Sequence, residues 1–441
     1  MTPSPFGRFF IVLASIALVA AEPSLATETE NALQKRIDAA SPGEVLSLPP
    51  GRHAGPVHID KPLTLDGGGQ AEIDGGGSGM VVRVTASGVL LRGLRVTGSG
   101  LNLSADDAGI HISADEVAVE DCVVENCLHG IYLRRTSRCR VERTVIRGKS
   151  TLPGDTRPAT SGLGASPADC ALVPARRGNG IHQWDCRDNL IADNHISEAR
   201  DGLFFSFTSG TRCEGNRVTA TRYGLHYMYS DNNTISDNVF ENNVAGAALM
   251  FSRRFEVRGN HFVGSEGFRA YGIILQSVED SRIESNTVER NAVGLSFNQC
   301  SRNRVVANRV VRNFIGLRFG SNSDENVLSA NLFARNLHPV ELEGDNGSNR
   351  WALDGIGNYW DGSVPFDPDG DGISNLPHRE ADLFGSRRRD FPEISLLSAS
   401  PAAGLLRFAN QRAALPGLKA VEDPSPLSAG AVLRFHATLE P

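Results

Sequence analysis

The sequence predicts an all-β fold, a right-handed parallel β-helix of the CASH type with coils of about 22 residues. The first observation is a glycine followed by a short apolar strand, which recurs at intervals of 22, 22, 26, 22 and 22 residues from Gly202 to Gly316. The second is a column of asparagines with the same step, which begins at Asn194 and continues to Asn308. Repeats of this length are too short for helix pairs, and their β-branched and aromatic runs fit about three short strands per coil.

Both columns have a physical reason. Asparagines at the same turn of successive coils can hydrogen-bond to one another and form an internal ladder. Glycine suits the bend that enters each strand, because its φ can be positive. Equivalent units begin upstream at Gly109, Gly130 and Gly180, and the wide gap before Gly180 indicates an inserted loop.

The chain is expected to begin with a secretory signal peptide. Arg8 precedes an apolar run that is too short to span a bilayer, and small residues at Ala21 or Ala26 suit cleavage. The mature chain is therefore expected to be exported, with the periplasm as its location. The expected segments are a signal peptide (1–26), an N-terminal cap with the first strands (27–60), a β-helix (61–345) with an inserted loop (149–179), a closing segment with an Asp-rich loop (346–383) and a C-terminal docking tail (384–441).

Charge and cysteine content limit the classes of function. The chain has 44 Lys and Arg against 51 Asp and Glu, a net charge of −7, so no nucleic-acid partner is expected. Its seven cysteines form no C-x-x-C zinc pattern, and most are expected to be small core residues. The alternative for one pair is a disulfide between Cys170 and Cys186 across the inserted loop.

The outer face of the repeated strand carries the candidate chemistry. Residues two and four positions after each glycine are expected to point outward. His226 and Met228 then share one strand face about 7 Å apart, and Met250 lies one coil above Met228 at about 5 Å. Imidazole and thioether groups together favour copper(I), so these three residues, with His182, are the candidate copper ligands.

The same outer face has two other interpretations. It could be an apolar surface that docks a partner protein, for which Trp184 and Phe204 are the candidate contacts. It could also be covered by a loop of this chain. Docking and copper binding are compatible with each other on one surface.

A second candidate metal site is an acidic loop near the end of the predicted solenoid. Asp367, Asp369 and Asp371 are followed by Gly372, which matches the first half of a calcium loop. The twelfth position is His378 instead of Glu, so a complete EF-hand is excluded. The three aspartates are candidate ligands of a structural calcium ion, and the alternative is a hydrogen-bonded acidic turn.

The closing segment resembles that of the NosD family. The resemblance is carried by Gly-Asn-Tyr-Trp-Asp at 357–361, by the acidic loop at 367–373 and by Leu-Pro at 376–377. It extends over most of the chain, from the signal peptide through the β-helix to the Pro- and Leu-rich tail. One departure is that Ser374 and Asn375 stand where a further glycine and an acidic residue are expected.

The resemblance implies a periplasmic accessory protein, peripheral to the inner membrane, that takes part in the maturation of nitrous-oxide reductase. Proteins of this family sit on an ABC-type transporter made of a membrane permease and a cytoplasmic ATPase. They help to deliver copper, which arrives from a small lipoprotein chaperone, to the reductase. The tail from Phe384 to Leu418 would then dock on the permease. No copper ligand carries over by motif.

The competing function is that of an enzyme acting on acidic sugars. A β-helix lyase, epimerase or hydrolase needs clustered carboxylates. The outward positions from His111 to Gly320 hold no Asp or Glu, although Asp106, Asp107 and Asp201 leave a site on another face open. A purely structural surface protein would leave the Met and His residues unexplained. We therefore expect a non-catalytic protein.

Overall fold

The computed structural model describes residues 31–149 and 177–437, except 266, 268–269, 345–346, 389–390, 399 and 414–416. The predicted signal peptide and nearly all of the inserted loop lie outside these residues. Among the residues described, no helix is long and apolar enough to cross a bilayer.

The predicted parallel β-helix is confirmed. One parallel sheet, the front sheet, contains one strand from each coil, and each strand pairs with its equivalent in the next coil. A typical coil runs from Tyr223–Met228 through Thr234–Ser236 and Val239–Glu241 back to the front sheet. The described strands of the front sheet are Val57–Ile59, Val82–Val84, Ala108–Ile112, His129–Arg134, Ile181–Trp184, Asp201–Ser206, Tyr223–Met228, Ala245–Arg253, Tyr271–Glu279, Val293–Asn298, Ile315–Phe319 and His338–Leu342.

The other two strands of each coil form the back of the solenoid. They are assigned to a single sheet, because the long strands Thr64–Asp74 and Leu90–Thr97 pair with strands of both series. The remaining described strands of this sheet are Val45–Ser47, Gly51–Ala54, Ala118–Glu120, Val123–Cys127, Arg140–Glu142, Val145–Gly148, Leu190–Ala192, His195–Ser197, Arg212–Glu214, Arg217–Thr219, Thr234–Ser236, Val239–Glu241, Glu256–Arg258, His261–Val263, Arg282–Glu284, Thr287–Glu289, Arg304–Val306, Arg309–Val311, Val327–Ser329, Leu332–Ala334 and Tyr359–Trp360.

A helix packs on the first coils. It spans Ala32–Ala39, and the Asn31 side chain caps it by accepting a hydrogen bond from Gln34 N at 3.1 Å. Its buried residues Leu33 and Ile37 join the core of the solenoid. The other described helical segments are Leu103–Ala105, Gly385–Arg388, Pro392–Leu397, Pro401–Arg412 and Ala429–Ala437.

The asparagine ladder forms inside the solenoid. From Asn194 to Asn331, each side-chain Nδ2 donates to Oδ1 of the next asparagine at 2.9–3.0 Å. The ladder continues to Asn358 of the closing segment and ends on Asp423, which accepts from Asn358 N at 2.6 Å and from Trp360 Nε1 at 2.9 Å. The carboxylate thus satisfies donors that the last rung would otherwise bury unpaired.

The repeat glycines are needed for a different reason from the one predicted. Their φ angles are not positive; positive φ falls instead on the residue before each ladder asparagine from Asn194 to Asn331, as at Gly215 and Gly259. At Gly246, a Cβ would lie 2.6 Å from Gly272 O and 2.7 Å from Phe262 Cδ1. The column therefore holds glycine because successive coils and the core approach it closely.

We predict that Gly246→Ala destabilises the fold by about 1–3 kcal/mol, because overpacking a filled core forces its neighbours to move. The measurement is the unfolding midpoint in urea. The control is Gly404→Ala, in the helix Pro401–Arg412, where a Cβ meets nothing within 4 Å. Alanine there should be neutral or stabilising. Equal stability of the two variants would contradict the close-approach explanation.

Part of the predicted docking tail belongs to the fold. The strand Ala420–Asp423 pairs antiparallel with His378–Ala381, and Leu427 and Val432 pack on the last coil. Another part of the tail leaves five apolar side chains in solvent. They are Leu396, Leu397, Leu405, Leu406 and Phe408.

The cysteines behave as core residues. The six described cysteines are buried and free, and burial raises the pKa of each thiol, to about 12 for Cys122 and about 11 for Cys127. Cys186 is one of these free thiols, so the structure holds no disulfide at this residue. Its suggested partner Cys170 lies outside the described residues.

Candidate metal centre on the front sheet

The predicted orientation of the front strands is confirmed. The residues one and three positions after the repeat glycine, such as Leu225 and Tyr227, are fully buried. His226 and Met228 lie on the opposite face of the same strand and are half-buried. In the next coil, Met250 is the direct Cα partner of Met228.

His226 is held by a buried carboxylate. Its Nδ1 lies 3.0 Å from Oδ2 of Asp201, whose side chain is 1% exposed. Arg222 donates from Nε and Nη2 to the two oxygens of Asp201 at 2.8 and 2.6 Å. We call these three residues the Asp201 clamp.

The charges of the clamp are balanced. Burial alone would raise the pKa of Asp201, but hydrogen bonds from His226 and Arg222 outweigh burial and hold that pKa below its ordinary value. Burial likewise opposes charge on Arg222, yet its bonds to Asp201 raise the pKa of the guanidinium. The Arg222 guanidinium also lies 4.5 Å from the centroid of the Tyr223 ring.

The clamp leaves one ring nitrogen of His226 without a proton. Because Asp201 accepts, Nδ1 carries the proton, and the lone pair of a neutral ring is then on Nε2. Metal-binding histidines commonly donate their other ring N–H to a carboxylate in this way. With the thioethers of Met228 and Met250 on the same face, two adjacent coils offer one nitrogen and two soft sulfur donors.

His182, the fourth candidate ligand, lies apart from the other three. The ring of Phe204 stands between His182 and His226, with ring centroids 4.5 and 4.8 Å away respectively. Burial lowers the pKa of His182 to about 3, and its Nε2 is buried without a hydrogen-bond partner among the described residues. It is therefore a neutral imidazole with an unsatisfied nitrogen.

A neighbouring histidine has a structural role. His129 Nδ1 accepts a hydrogen bond from Asn179 N at 3.0 Å, so the proton of the neutral ring is on Nε2. Burial lowers the pKa of His129 to about 4. In this orientation the ring has no nitrogen left to bind a metal.

The two predicted docking residues are both half-buried. Phe204 packs between the two histidine rings described above. The Trp184 ring lies 5.4 Å from the guanidinium of Arg134 and 4.9 Å from that of Arg135. Their role in docking stays a prediction.

The acidic loop brings its three predicted residues together. Ligand oxygens of Asp367, Asp369 and Asp371 all lie within 4.8 Å of one another. However, the Asp367 carboxylate already accepts from Gly370 N at 2.8 Å and Gly372 N at 2.9 Å. The loop has the hydrogen bonds of an acidic turn, and calcium binding stays a prediction.

Sequence reasoning missed Arg222 and assigned Asp201 to another face, whereas the structure places Asp201 against His226 on the front sheet. The Asp201 side chain bonds to outward-facing His226, whereas a Cβ on Gly202 would meet the core residue Val218, so strict alternation fails at this glycine. The residue before the glycine therefore lies on the outer face, together with the residue two positions after the glycine. In several coils the residue before the glycine is polar or aromatic, as at Asp201, Tyr223 and Tyr271. This pattern could have indicated that the position faces outward.

Fold and site together define a parallel β-helix whose front sheet carries imidazole and thioether groups on its outer face. The family described as "Periplasmic copper-binding protein (NosD)" matches residues 163–364. A "Probable ABC transporter binding protein NosD" from Pseudomonas aeruginosa is 28% identical over 86% of this chain and 87% of its own. The protein of the same name from Stutzerimonas stutzeri is 26% identical, over 86% of each chain. Over most of its length the chain is thus similar to proteins of the NosD family.

The solved structures add support for the fold alone. A PL6 alginate lyase in complex with a trisaccharide superposes with a TM-score of 0.56 over 76% of this chain and 83% of its own. Its sequence is 13% identical to this one. The likeness confirms the β-helix and carries no information about activity.

Proposed function

We propose that this chain is a non-catalytic periplasmic accessory protein of an ABC-type transporter that delivers copper during maturation of nitrous-oxide reductase. The names of its relatives and the description of its family support a copper-binding, transporter-associated role. The observation that carries the proposal is the Asp201 clamp, which orients His226 beside Met228 and Met250.

In this proposal copper is cargo and is bound transiently. Thioether sulfur and a neutral imidazole suit Cu(I). Met228 and Met250 are half-buried, and the His226 side chain is 12% exposed, so part of each residue lies at the surface of the front sheet. The Asp201 clamp keeps the imidazole in one tautomer, so the ligand is ready before copper arrives.

The tail supplies the contact with the transporter permease, whose ATPase subunit lies on the other side of the membrane. Glu341, in the last front strand, binds Arg318 at 2.7 Å and also binds Arg388 of the tail. This buried ion pair anchors the tail a few residues before its exposed apolar side chains at 396–408. Copper then arrives from the lipoprotein chaperone and leaves for nitrous-oxide reductase.

The alternative, an enzyme acting on acidic sugars, is disfavoured by the state of Asp201. Its two oxygens are occupied by Arg222 and His226, and the side chain is almost fully buried. A general acid or base must reach the proton that it transfers. Alginate turnover that is lost in Asp201→Ala would overturn the non-catalytic proposal.

We predict that Leu405→Glu with Leu406→Glu abolishes co-purification with the permease and ATPase, because two charges replace exposed apolar contacts. The melting temperature should not change, since both side chains are exposed. The matched control is Ala409→Glu, an exposed position on the same helix. Retention of the transporter by the double variant would exclude this helix as the docking surface.

A further inference from the structure

Three aromatic side chains form a stacked row on the surface beside the candidate copper site. Phe207, Tyr229 and Phe251 occupy the fifth position after the repeat glycine in three successive coils and are 53%, 49% and 44% exposed. Their ring centroids are 5.4 and 5.3 Å apart, with interplanar angles of 10° and 13°. We call this row the aromatic ladder.

The backbone at the aromatic ladder disfavours the residues that occupy it. The three residues have φ angles of 58°, 49° and 52°, in the left-handed region that bulky side chains rarely adopt. The same turn in other coils is also left-handed but carries polar or charged residues. Those residues are Arg135, Asp185, Ser277 and Gln299. Aromatic residues are therefore not required by the turn, and strain retained on an exposed surface points to function.

The aromatic ladder is adjacent to the two methionines of the candidate copper site. Tyr229 and Phe251 directly follow Met228 and Met250 in the chain, so the ladder borders the two thioethers. The ring faces are turned towards one another, which leaves ring edges for a partner. Sulfur contacts to aromatic rings are favourable and often lie at the ring edge.

We propose that the aromatic ladder is the docking surface for a copper(I) donor protein that presents sulfur ligands. This inference rests on the proposed copper-delivery function. The ladder has three rungs and ends against Asp185 on one side and Ser277 on the other, so its apolar footprint is small. A small footprint suits the transient contact of a donor that must leave after transfer.

The test is the double variant Tyr229→Asn with Phe251→Asn, because asparagine tolerates the left-handed region. The probe is the lipid-free chaperone lipoprotein loaded with Cu(I). We expect the transfer rate to fall about tenfold or more, while Cu(I) affinity measured against a chelator changes less than about threefold. The melting temperature should stay the same or rise. Ser277→Asn with Gln299→Asn, in the same column, is the control and should transfer normally.

The outcomes separate this inference from the proposed function. If the wild-type protein takes no Cu(I) from the chelator, the copper-delivery function fails. If it binds Cu(I) but the double variant accepts copper at the wild-type rate, the docking proposal fails. A defect only in onward transfer to nitrous-oxide reductase would assign the aromatic ladder to the acceptor and overturn the donor assignment. A lower melting temperature together with lost chelator-measured affinity would make the ladder structural.

Discussion

Replacing His226 and Met228 together by alanine should weaken Cu(I) binding by about 100-fold or more, because two of three soft donors are lost. A 100-fold loss corresponds to about 2.8 kcal/mol of binding free energy. The measurement is competition with a Cu(I) chelator, which reports affinity without any partner protein. Wild-type protein should bind close to one equivalent.

The control for this double variant replaces the same residue types elsewhere on the chain. His195 lies on the back sheet and Met80 precedes the strand Val82–Val84, so neither belongs to the candidate site. His195→Ala with Met80→Ala should bind Cu(I) like the wild type. Unchanged affinity in the His226 and Met228 variant would show that copper binds elsewhere, although the similarity to NosD proteins would stand.

Asp201→Ala should lower the free energy of unfolding by about 3–5 kcal/mol, because it leaves the Arg222 guanidinium without its partner in a largely buried position. It should also weaken Cu(I) binding, since His226 Nδ1 loses the acceptor that fixes its tautomer. The measurements are urea unfolding and chelator competition on the same preparation.

The control for Asp201 is Asp231→Ala. Asp231 pairs with Arg253 at 3.1 Å and Arg254 at 3.2 Å, but these charges are more exposed, so the loss should be below about 1 kcal/mol. Asp201→Asn should keep part of the stability and bind Cu(I) more tightly than Asp201→Ala. Equal losses in Asp201→Ala and Asp231→Ala would contradict the buried clamp.

The contribution of the Asp201 clamp to the stability of the fold depends on pH. The folded-state pKa of Asp201 lies below its ordinary value of 3.8, so the ionised carboxylate stabilises the fold above that pH. This contribution is lost as the pH falls from about 3.8 through the lower folded-state pKa. Wild-type protein should therefore lose more stability on acidification in this range than Asp201→Ala does.

Much of the fold was predictable, because a solenoid repeats its local rules in every coil. The period of the glycine and asparagine columns predicted the coil length, and the asparagine ladder from Asn194 onward followed from stacking alone. The end of the asparagine ladder was not predictable. Asp423 reaches Asn358 across 65 residues of sequence, and no periodicity links the tail to the last coil.

The candidate site was predictable in part. Strict alternation placed His226, Met228 and Met250 on one face, and the register confirms this placement. Alternation failed at the repeat glycine, so Asp201 was assigned to another face and its contact with His226 was missed. The aromatic ladder was missed because left-handed φ angles cannot be read from aromatic residues, which rarely adopt them.

We propose that copper binds to thioether sulfur and imidazole nitrogen on the outer face of the front sheet. X-ray absorption spectroscopy of the Cu(I)-loaded protein tests it most directly. A Cys170→Ser background removes the one thiol outside the described residues; the other six thiols are buried. We predict sulfur and nitrogen scatterers around copper, with the sulfur signal lost in Met228→Leu with Met250→Leu. A spectrum with only nitrogen or oxygen ligands, or one that the methionine replacements leave unchanged, would contradict the claim.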